Sequence, residues 1–351
     1  MNDKAFDIPG CALTRDASLR ERTTFGVPAR AARLIEVTRS DALPALFAHA
    51  ALARDEVLVL GGGSNMLFTR NWPGTVVAMA TRGIEIVERV VTDHGEAALV
   101  RCAAGENWNT FVHWSLAQGL CGLENLALIP GCVGAAPIQN IGAYGAEVRE
   151  FIDAVEVFDR PSRSIRRLRN PECAFAYRDS LFKREPGRYV VVSVDFLLPR
   201  THALRLDYAG VREELAAMGV ATPDAPAVAR AIVRLRTRKL PDPIVVGNAG
   251  SFFKNPVVAR AQAQALHASH PELPQWPASE AHAKLSAAWL IESCNFKGLR
   301  EEDAGVSSQH ALVLVNYGKA TGAQIWALAQ RIQDAVFERF GVRLDPEPVI
   351  V

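Results

Sequence analysis

The chain has 351 residues, of which 49% are apolar and 22% charged. It is too long for one ordinary core and too apolar for disorder, so two or three globular domains are expected. A formal net charge of +1 excludes a global field for gripping nucleic acid or an anionic membrane, so an anionic ligand must be held by locally placed Lys and Arg.

Residues 1–22 are polar and mixed in charge, without the apolar stretch of a signal peptide, and no run of about twenty apolar residues follows. No membrane span is expected. The six cysteines, at 11, 102, 121, 132, 173 and 294, form no C-x-x-C pair and read as reduced, buried small hydrophobes. A cytoplasmic protein without a metal site is the expectation.

The ordered part starts at Arg22-Thr-Thr-Phe-Gly26. Ser40 and Asp41 predict a helix through about Arg54, with Leu43, Leu46 and Ala50 on one face. Val57–Leu60 reads as a buried strand running into Gly61, Gly62, Gly63, Ser64 and Asn65. Successive backbone N–H groups there can form a nest for phosphate oxygens, with Ser64 and Asn65 adding donors, or the turn can be a plain hairpin or bulge. It is neither a Walker loop nor a G-x-G-x-x-G fingerprint, and Met66–Phe68 suits a strand. Alternating strands follow over 76–102, then a helix after Gly105-Glu-Asn107 carrying Trp108, Phe111, Val112 and Leu116.

Residues 122–145 are rich in glycine, proline and apolar side chains without a regular period. Such backbone, if buried, needs partners for its N–H and C=O groups. A flat cofactor lying on the main chain is one solution; a tightly packed structural loop is another. Strands are predicted around 152–158 and 189–198. Between them Tyr177, Arg178 and Asp179 sit among aromatic anchors, where Arg178 can recognise a carboxylate or pair with Asp179. Residues 221–226 read as a linker and 228–236 as a helix. A basic cluster, Arg236–Pro243, leads into Asn-Ala-Gly-Ser-Phe-Phe-Lys-Asn-Pro over 248–256, a tight turn bearing a hydroxyl, a cation and an amide. Helices are predicted over 283–294, burying Leu285, Trp289 and Ile291, and over 323–340, capped by Gly341; a buried strand lies at 311–315. Glu347 is held between prolines in an extended segment.

Taken together these stretches resemble the UDP-N-acetylenolpyruvoylglucosamine reductase family. The matching blocks are Thr24–Gly26, Val59–Asn65, Gly105–Trp108, Leu123–Tyr144, Tyr177–Ser180, Arg236–Pro243, Gly247–Pro256 and Leu344–Val349, in family order almost end to end. Tyr208 fits the longer subtype, which has a tyrosine loop. One departure is Gly305–His310, where relatives often carry a histidine earlier; it touches no residue assigned to chemistry.

The resemblance implies an α+β chain: a FAD-binding fold of the vanillyl-alcohol-oxidase or PCMH-like type, with two subdomains (1–75 and 76–215) and a C-terminal α+β substrate domain (226–341), the segment 342–351 returning to the site. FAD would be noncovalent, with Gly61–Asn65 on its pyrophosphate and Gly131, Gly134, Ile141, Gly142 and Tyr144 along the flavin. NADPH would be the hydride donor and UDP-N-acetylglucosamine enolpyruvate the substrate of a monomeric enzyme of peptidoglycan precursor synthesis. Arg178 would bind the substrate carboxylate, Glu347 in its acid form would donate a hydrogen bond to it, and Ser251 would protonate the adjacent carbon. Tyr177, Tyr208, Lys239, Lys254 and Asn255 would hold the nucleotide sugar and order the loop. The competing classes are a flavin oxidase of the same fold and a non-catalytic flavin-binding protein.

Overall fold

The computed structural model describes residues 6–50, 52 and 55–351. The chain divides into two units. The first comprises the described residues of Met1–Ala17, Ala31–Gly62 and Pro73–Arg236, and the second Ser18–Arg30, Gly63–Trp72 and Thr237–Val351.

The first unit holds two sheets. One has the order Cys11–Ser18, Arg30–Val37, Trp72–Met79, Val57–Leu60. Val57–Leu60 runs parallel to Trp72–Met79, with Val57 opposite Thr75 and Leu60 opposite Ala78. It lies at the sheet edge, which is why an all-apolar run is only part-buried. The predicted helix after Ser40 is shorter than expected. A single helical turn, Ser40–Ala42, leads into Leu43–Ala48, and His49 is already extended. Leu43, Leu46 and Phe47 pack on Ile35, Val37 and Val77, but Ala50 is exposed, so no apolar face remains to extend the helix. Residues 51, 53 and 54 lie outside the described residues.

The second sheet is antiparallel, in the order Ser164–Arg169, Ile152–Asp159, Tyr189–Pro199, Gly95–Ala103, Ile84–Thr92. Tyr189–Pro199 is buried on both faces. Val157 faces Val191 while Glu156 faces Ser193, so Val192 is a bulge residue. The bulge inverts the alternation. Val190 and Val192 therefore join the core of the first sheet, whereas Val191, Val194, Phe196 and Leu198 join the larger core. The strand Ser164–Arg169 has a basic sequence that hides it from apolar patterning. Its Arg167 bonds Asp195, which Arg101 also grips through Nε at 2.8 Å and Nη2 at 3.0 Å. Burial alone would push the Asp195 carboxyl up, but these guanidiniums together hold it below the ordinary carboxylate value.

The helix Trp108–Ala117 begins as predicted. Asn107 caps it by accepting from the Thr110 N–H at 2.9 Å. Phe111 is fully buried with its ring 4.8 Å from Phe196, and Trp108 Nε1 donates to the Leu126 carbonyl at 2.9 Å. Burying a side chain such as Phe111 stabilises by roughly 1.5–3 kcal/mol. The helix Ala225–Lys239 adds Val228, Ile232 and Leu235 to the same core.

The second unit is built on a sheet of Gly247–Asn248, Leu314–Asn316, Ala304–Val306 and Arg300–Glu301, and a smaller one of Val257–Ala259, His282–Leu285 and Gln275–Pro277. The helix Gly322–Phe340 matches expectation: Thr321 and Gln324 form a capping box, Ile325, Leu328, Ile332 and Val336 are buried, and Gly341 ends it with φ 63°. The predicted helix over 283–294 is instead a strand followed by a helix. Leu285 pairs with Gln275 in the sheet, and its N–H donates to the Pro256 carbonyl at 2.9 Å. Ser286 then caps Ala287–Ser293 through the Trp289 N–H. Tertiary pairing on both sides of His282–Leu285 outweighs the helical spacing.

Candidate active site

The site residues of the first unit gather around residues 122–145. Gly62 follows the strand Val57–Leu60, and a Cβ there would lie 2.8 Å from Gly131 Cα. Only glycine allows these two backbones to meet. Gly131 and Gly134 are fixed from behind, since Trp108 N–H donates to the Gly131 carbonyl at 3.1 Å and Gly134 N–H to the Ala104 carbonyl at 2.9 Å. Beside them burial pushes the thiols of Cys102 and Cys132 up, so both are protonated hydrophobes.

Two asparagines that the sequence reading passed over tie this irregular backbone to its surroundings. Buried Asn140 donates to Glu147 at 3.1 Å and to the Ala176 carbonyl at 2.9 Å, and accepts from the Arg149 N–H. Asn125 donates to the carbonyls of Tyr144 at 2.8 Å and Arg205 at 3.0 Å. The available signal was their placement: amides inside an apolar, non-periodic run. Ile141 is tied in through its N–H to the Ala136 carbonyl at 3.1 Å.

Tyr177 and Arg178 form the tip of a tight turn closed by reciprocal backbone bonds between Ala176 and Asp179. Arg178 has φ 54°, a left-handed conformation that costs a non-glycine residue on the order of 1 kcal/mol or more. The turn aims its guanidinium at Gly142, whose carbonyl accepts from Nη2 at 2.7 Å, and the Tyr177 ring centroid lies 5.4 Å from the guanidinium carbon. Asp179 pairs with Arg184. Tyr144 meets Tyr208 edge to face at 5.1 Å. Tyr177, Arg178, Gly142, Tyr144 and Tyr208 are thus one cluster, with Tyr177 and Tyr208 43% and 51% exposed and open to a ligand.

The second unit carries the other group. Asn248 donates to the Pro241 and Val246 carbonyls and accepts from the Gly250 N–H at 2.9 Å, setting the turn before Ser251. Its own N–H donates to the Thr24 carbonyl, which accounts for the Thr24–Gly26 block. Phe252 and Phe253 are buried, and Phe252 N–H donates to the Leu312 carbonyl at 2.7 Å. The C-terminal segment then pairs with the loop: Glu347 N–H donates to the Phe252 carbonyl at 2.8 Å and Lys254 N–H to the Asp345 carbonyl at 3.0 Å. Asn65 donates to the Glu347 carbonyl at 3.1 Å, and Val349–Ile350 runs parallel to Met66–Leu67. Lys254, Glu347 and Asn65 are therefore tied together by main-chain bonds and the Asn65 side-chain amide, with Ser251 next in sequence to Phe252, the partner of Glu347. Gly63, with φ 60°, closes the start of this strand; a Cβ would lie 1.9 Å from the Arg22 carbonyl oxygen.

Asn255 accepts from the Ala287 N–H at 3.0 Å, which ties the loop to the next helix. Lys239 is exposed. Burial pushes the His310 imidazole down, and Lys239 and Lys297 push it further. His310 Nδ1 accepts from the Leu312 N–H at 3.2 Å, so a neutral ring carries its proton on Nε2.

A FAD binding domain model matches residues 31–169. The solved UDP-N-acetylenolpyruvylglucosamine reductase of Thermus caldophilus aligns with a TM-score of 0.66 at 24% identity, covering 97% of this chain and 99% of that one. Alkyldihydroxyacetonephosphate synthase aligns at 0.51 with 9% identity, covering 97% and 79%. These two likenesses show the fold, and with the matched domain they define a FAD-binding protein of the vanillyl-alcohol-oxidase-like class with a C-terminal domain. That C-terminal part, residues 242–351, matches the model described as UDP-N-acetylenolpyruvoylglucosamine reductase, C-terminal domain. Curated UDP-N-acetylenolpyruvoylglucosamine reductases are similar throughout. The one from Xanthomonas euvesicatoria pv. vesicatoria is 54% identical over 343 residues, 97% of each chain. That of Xylella fastidiosa strain 9a5c is 51% identical over 346 residues, 98% of this chain and 97% of the other. The chain belongs to the UDP-N-acetylenolpyruvoylglucosamine reductase family.

Proposed function

We propose that this protein reduces the enolpyruvyl double bond of UDP-N-acetylglucosamine enolpyruvate to give UDP-N-acetylmuramate, using NADPH and noncovalent FAD. The observation that carries the reading is the main-chain pairing of 252–254 with 345–347, which brings the backbone of Ser251 and Lys254 to that of Glu347 in a chain of this family. The residues present fit FAD. Gly62 packs so closely on Gly131 that a single Cβ would clash, which draws the glycine turn against residues 122–145, with Gly61, Ser64 and Asn65 alongside it in sequence to take the pyrophosphate. Bound FAD supplies the relay of hydride from NADPH to the substrate.

The chain's own residues do the rest. Hydride addition at the terminal carbon puts negative charge on the carbon beside the carboxylate. Arg178, permanently charged and fork-shaped, stabilises that charge through the carboxylate. Glu347 in its acid form donates a second hydrogen bond to it. Ser251 gives its hydroxyl proton to the carbon; a hydroxyl suffices because the charged carbon is a strong base. Tyr177, Tyr208, Lys239 and Lys254 hold the uridine diphosphate and sugar, while Asn255 orders the loop.

The subdomain limits 1–75, 76–215 and 226–341 are part of the same proposal, with 342–351 supplying Glu347. Among the described residues no helix is long and apolar enough to cross a membrane. The reading places the enzyme in the cytoplasm as a monomer, serving peptidoglycan precursor synthesis and through it cell shape and division. The test is the flavin spectrum of the purified protein without oxygen. NADPH should bleach it, and the enolpyruvyl nucleotide sugar should restore it. Bleaching reversed by air but not by the sugar would replace the reading with an oxidase.

A further inference from the structure

Tyr208 is carried to its place by a stretch of chain with little structure of its own. Between the strand Tyr189–Pro199 and the helix Val211–Ala217, residues 201–207 form neither helix nor strand. Among the described residues no backbone-to-backbone hydrogen bond reaches them. Side chains hold them instead. Leu204 and Leu206 lie against the core of the first unit. Asn125 donates to the Arg205 carbonyl at 3.0 Å, and the Arg205 guanidinium donates to the Gly145 carbonyl at 2.6 Å and to Glu150 at 2.9 Å. The remaining tie is His202, whose ring stands edge-on to Phe151 at 6.2 Å and bonds Glu124 through Nε2. An ionised carboxylate only accepts, so the ring nitrogen is the donor.

Glu124 is the unusual member of this set. It opens a single helical turn, Glu124–Leu126, inside the glycine-rich segment, and it is fully buried. Its Oε2 accepts from the Gly122 N–H at 2.7 Å and its Oε1 from His202, and among the described residues no other side chain bonds it. A carboxylate out of water needs both oxygens bonded, so Glu124 holds His202 as firmly as His202 satisfies Glu124. The next residue, Asn125, spans the Tyr144 and Arg205 carbonyls with one amide. Consecutive residues of one turn thus grip the stem of the loop at 202 and 205, and the second also grips the segment bearing Tyr144, on whose ring Tyr208 rests. We propose that His202, held by Glu124, is a positioning residue for the nucleotide sugar: it keeps the Tyr208 loop ordered over Tyr144 before substrate arrives. The inference rests on the reading of Tyr208 as a substrate residue. Without the His202 tie the stem regains conformational freedom, and fewer molecules have Tyr208 in place. KM then rises by the inverse of that fraction, while bound substrate reacts as before.

The experiment compares FAD-loaded wild type, His202→Ala and His202→Gln. Flavin content, and flavin reduction at saturating NADPH, should be the same in all three. His202→Ala should raise the KM for the enolpyruvyl nucleotide sugar about tenfold with kcat nearly unchanged. Trypsin should cut it faster than wild type after Arg200 or Arg205, since a loosened stem opens more often. His202→Gln, whose amide can donate to Glu124, should recover most of both effects. In a Tyr208→Ala background the His202→Ala change should add little to KM, because its effect passes through that ring. An unchanged KM in His202→Ala would overturn the inference. So would a KM effect that persists without Tyr208, or a loss of FAD or of kcat, either of which would make the pair a support of the glycine-rich segment. A wild type that does not turn the sugar over would defeat the functional reading itself, and the inference would fall with it whatever trypsin shows.

Discussion

Residues 122–145 in the first unit and residues 248–256 in the second are both irregular, and both carry proposed chemistry, but their backbones are satisfied in different ways. The serine loop is held by main-chain pairing on each side, to Leu312 and to Asp345–Glu347, over two buried phenylalanines. The glycine-rich segment is held by short-range main-chain bonds, such as Ala136 N–H to the Val133 carbonyl and Ile141 N–H to the Ala136 carbonyl, and by two of its own side-chain amides, Asn125 reaching the Tyr144 carbonyl and Asn140 the Ala176 carbonyl. Main-chain pairing fixes where a side chain leaves the backbone, which suits a proton donor that must act at one carbon. Amide anchoring leaves carbonyls and small residues forming a smooth face, which suits a flat ring.

That contrast can be broken at several places. The largest effect is expected at Ser251→Ala, where reoxidation of the flavin by the enolpyruvyl substrate should fall by ~10²- to 10⁴-fold while reduction by NADPH is nearly unchanged. Stopped-flow absorbance separates the two half-reactions, and equal slowing of both would make Ser251 structural. Arg178→Gln removes a preorganised charge and should lower kcat by about 10²- to 10³-fold with the flavin still bound, checked by steady-state kinetics. Gly62→Ala sharpens the other side of the contrast. The added Cβ must force Gly131 away, so FAD retained through gel filtration should drop markedly while the second-unit site stays unaltered. Asn140→Ala strands three hydrogen-bonding groups and should cost about 1–3 kcal/mol in chemical denaturation.

The smallest effect concerns pH. The His310 imidazole is depressed, so the unfolded chain binds its proton more readily than the folded one. Its contribution is present above the unfolded value of about 6.5 and is lost as pH falls through the lower folded value. His310→Gln should therefore flatten the acid limb of the stability profile by about 1 kcal/mol or less, measured by urea unfolding between neutral and mildly acidic pH.

How far the sequence reached follows the same division. The serine loop, the glycine turn and the Arg178 turn are contiguous stretches, and their residue types announce their chemistry. What joins them is not contiguous. Nothing in Asp345–Glu347 names Phe252–Lys254 as its partner, because backbone hydrogen bonds carry no side-chain signature. The strand at His282–Leu285 was masked by helical spacing, and Ser164–Arg169 by its arginines, whose carboxylate partners Asp153 and Asp195 lie on other strands.

The bond between Asn65 and Glu347 spans 282 residues of sequence. Closing a loop of that size is entropically unfavourable and slow compared with forming a hairpin such as Ile84–Thr92 with Gly95–Ala103. During synthesis, Met66–Leu67 emerges long before Val349–Ile350 exists to pair with it. A nascent chain can therefore complete the antiparallel sheet of the first unit while the strand after the glycine turn still waits for its partner. The serine and the glutamate acquire their mutual geometry only in the last stage of folding, so reductase competence is the final property this chain gains.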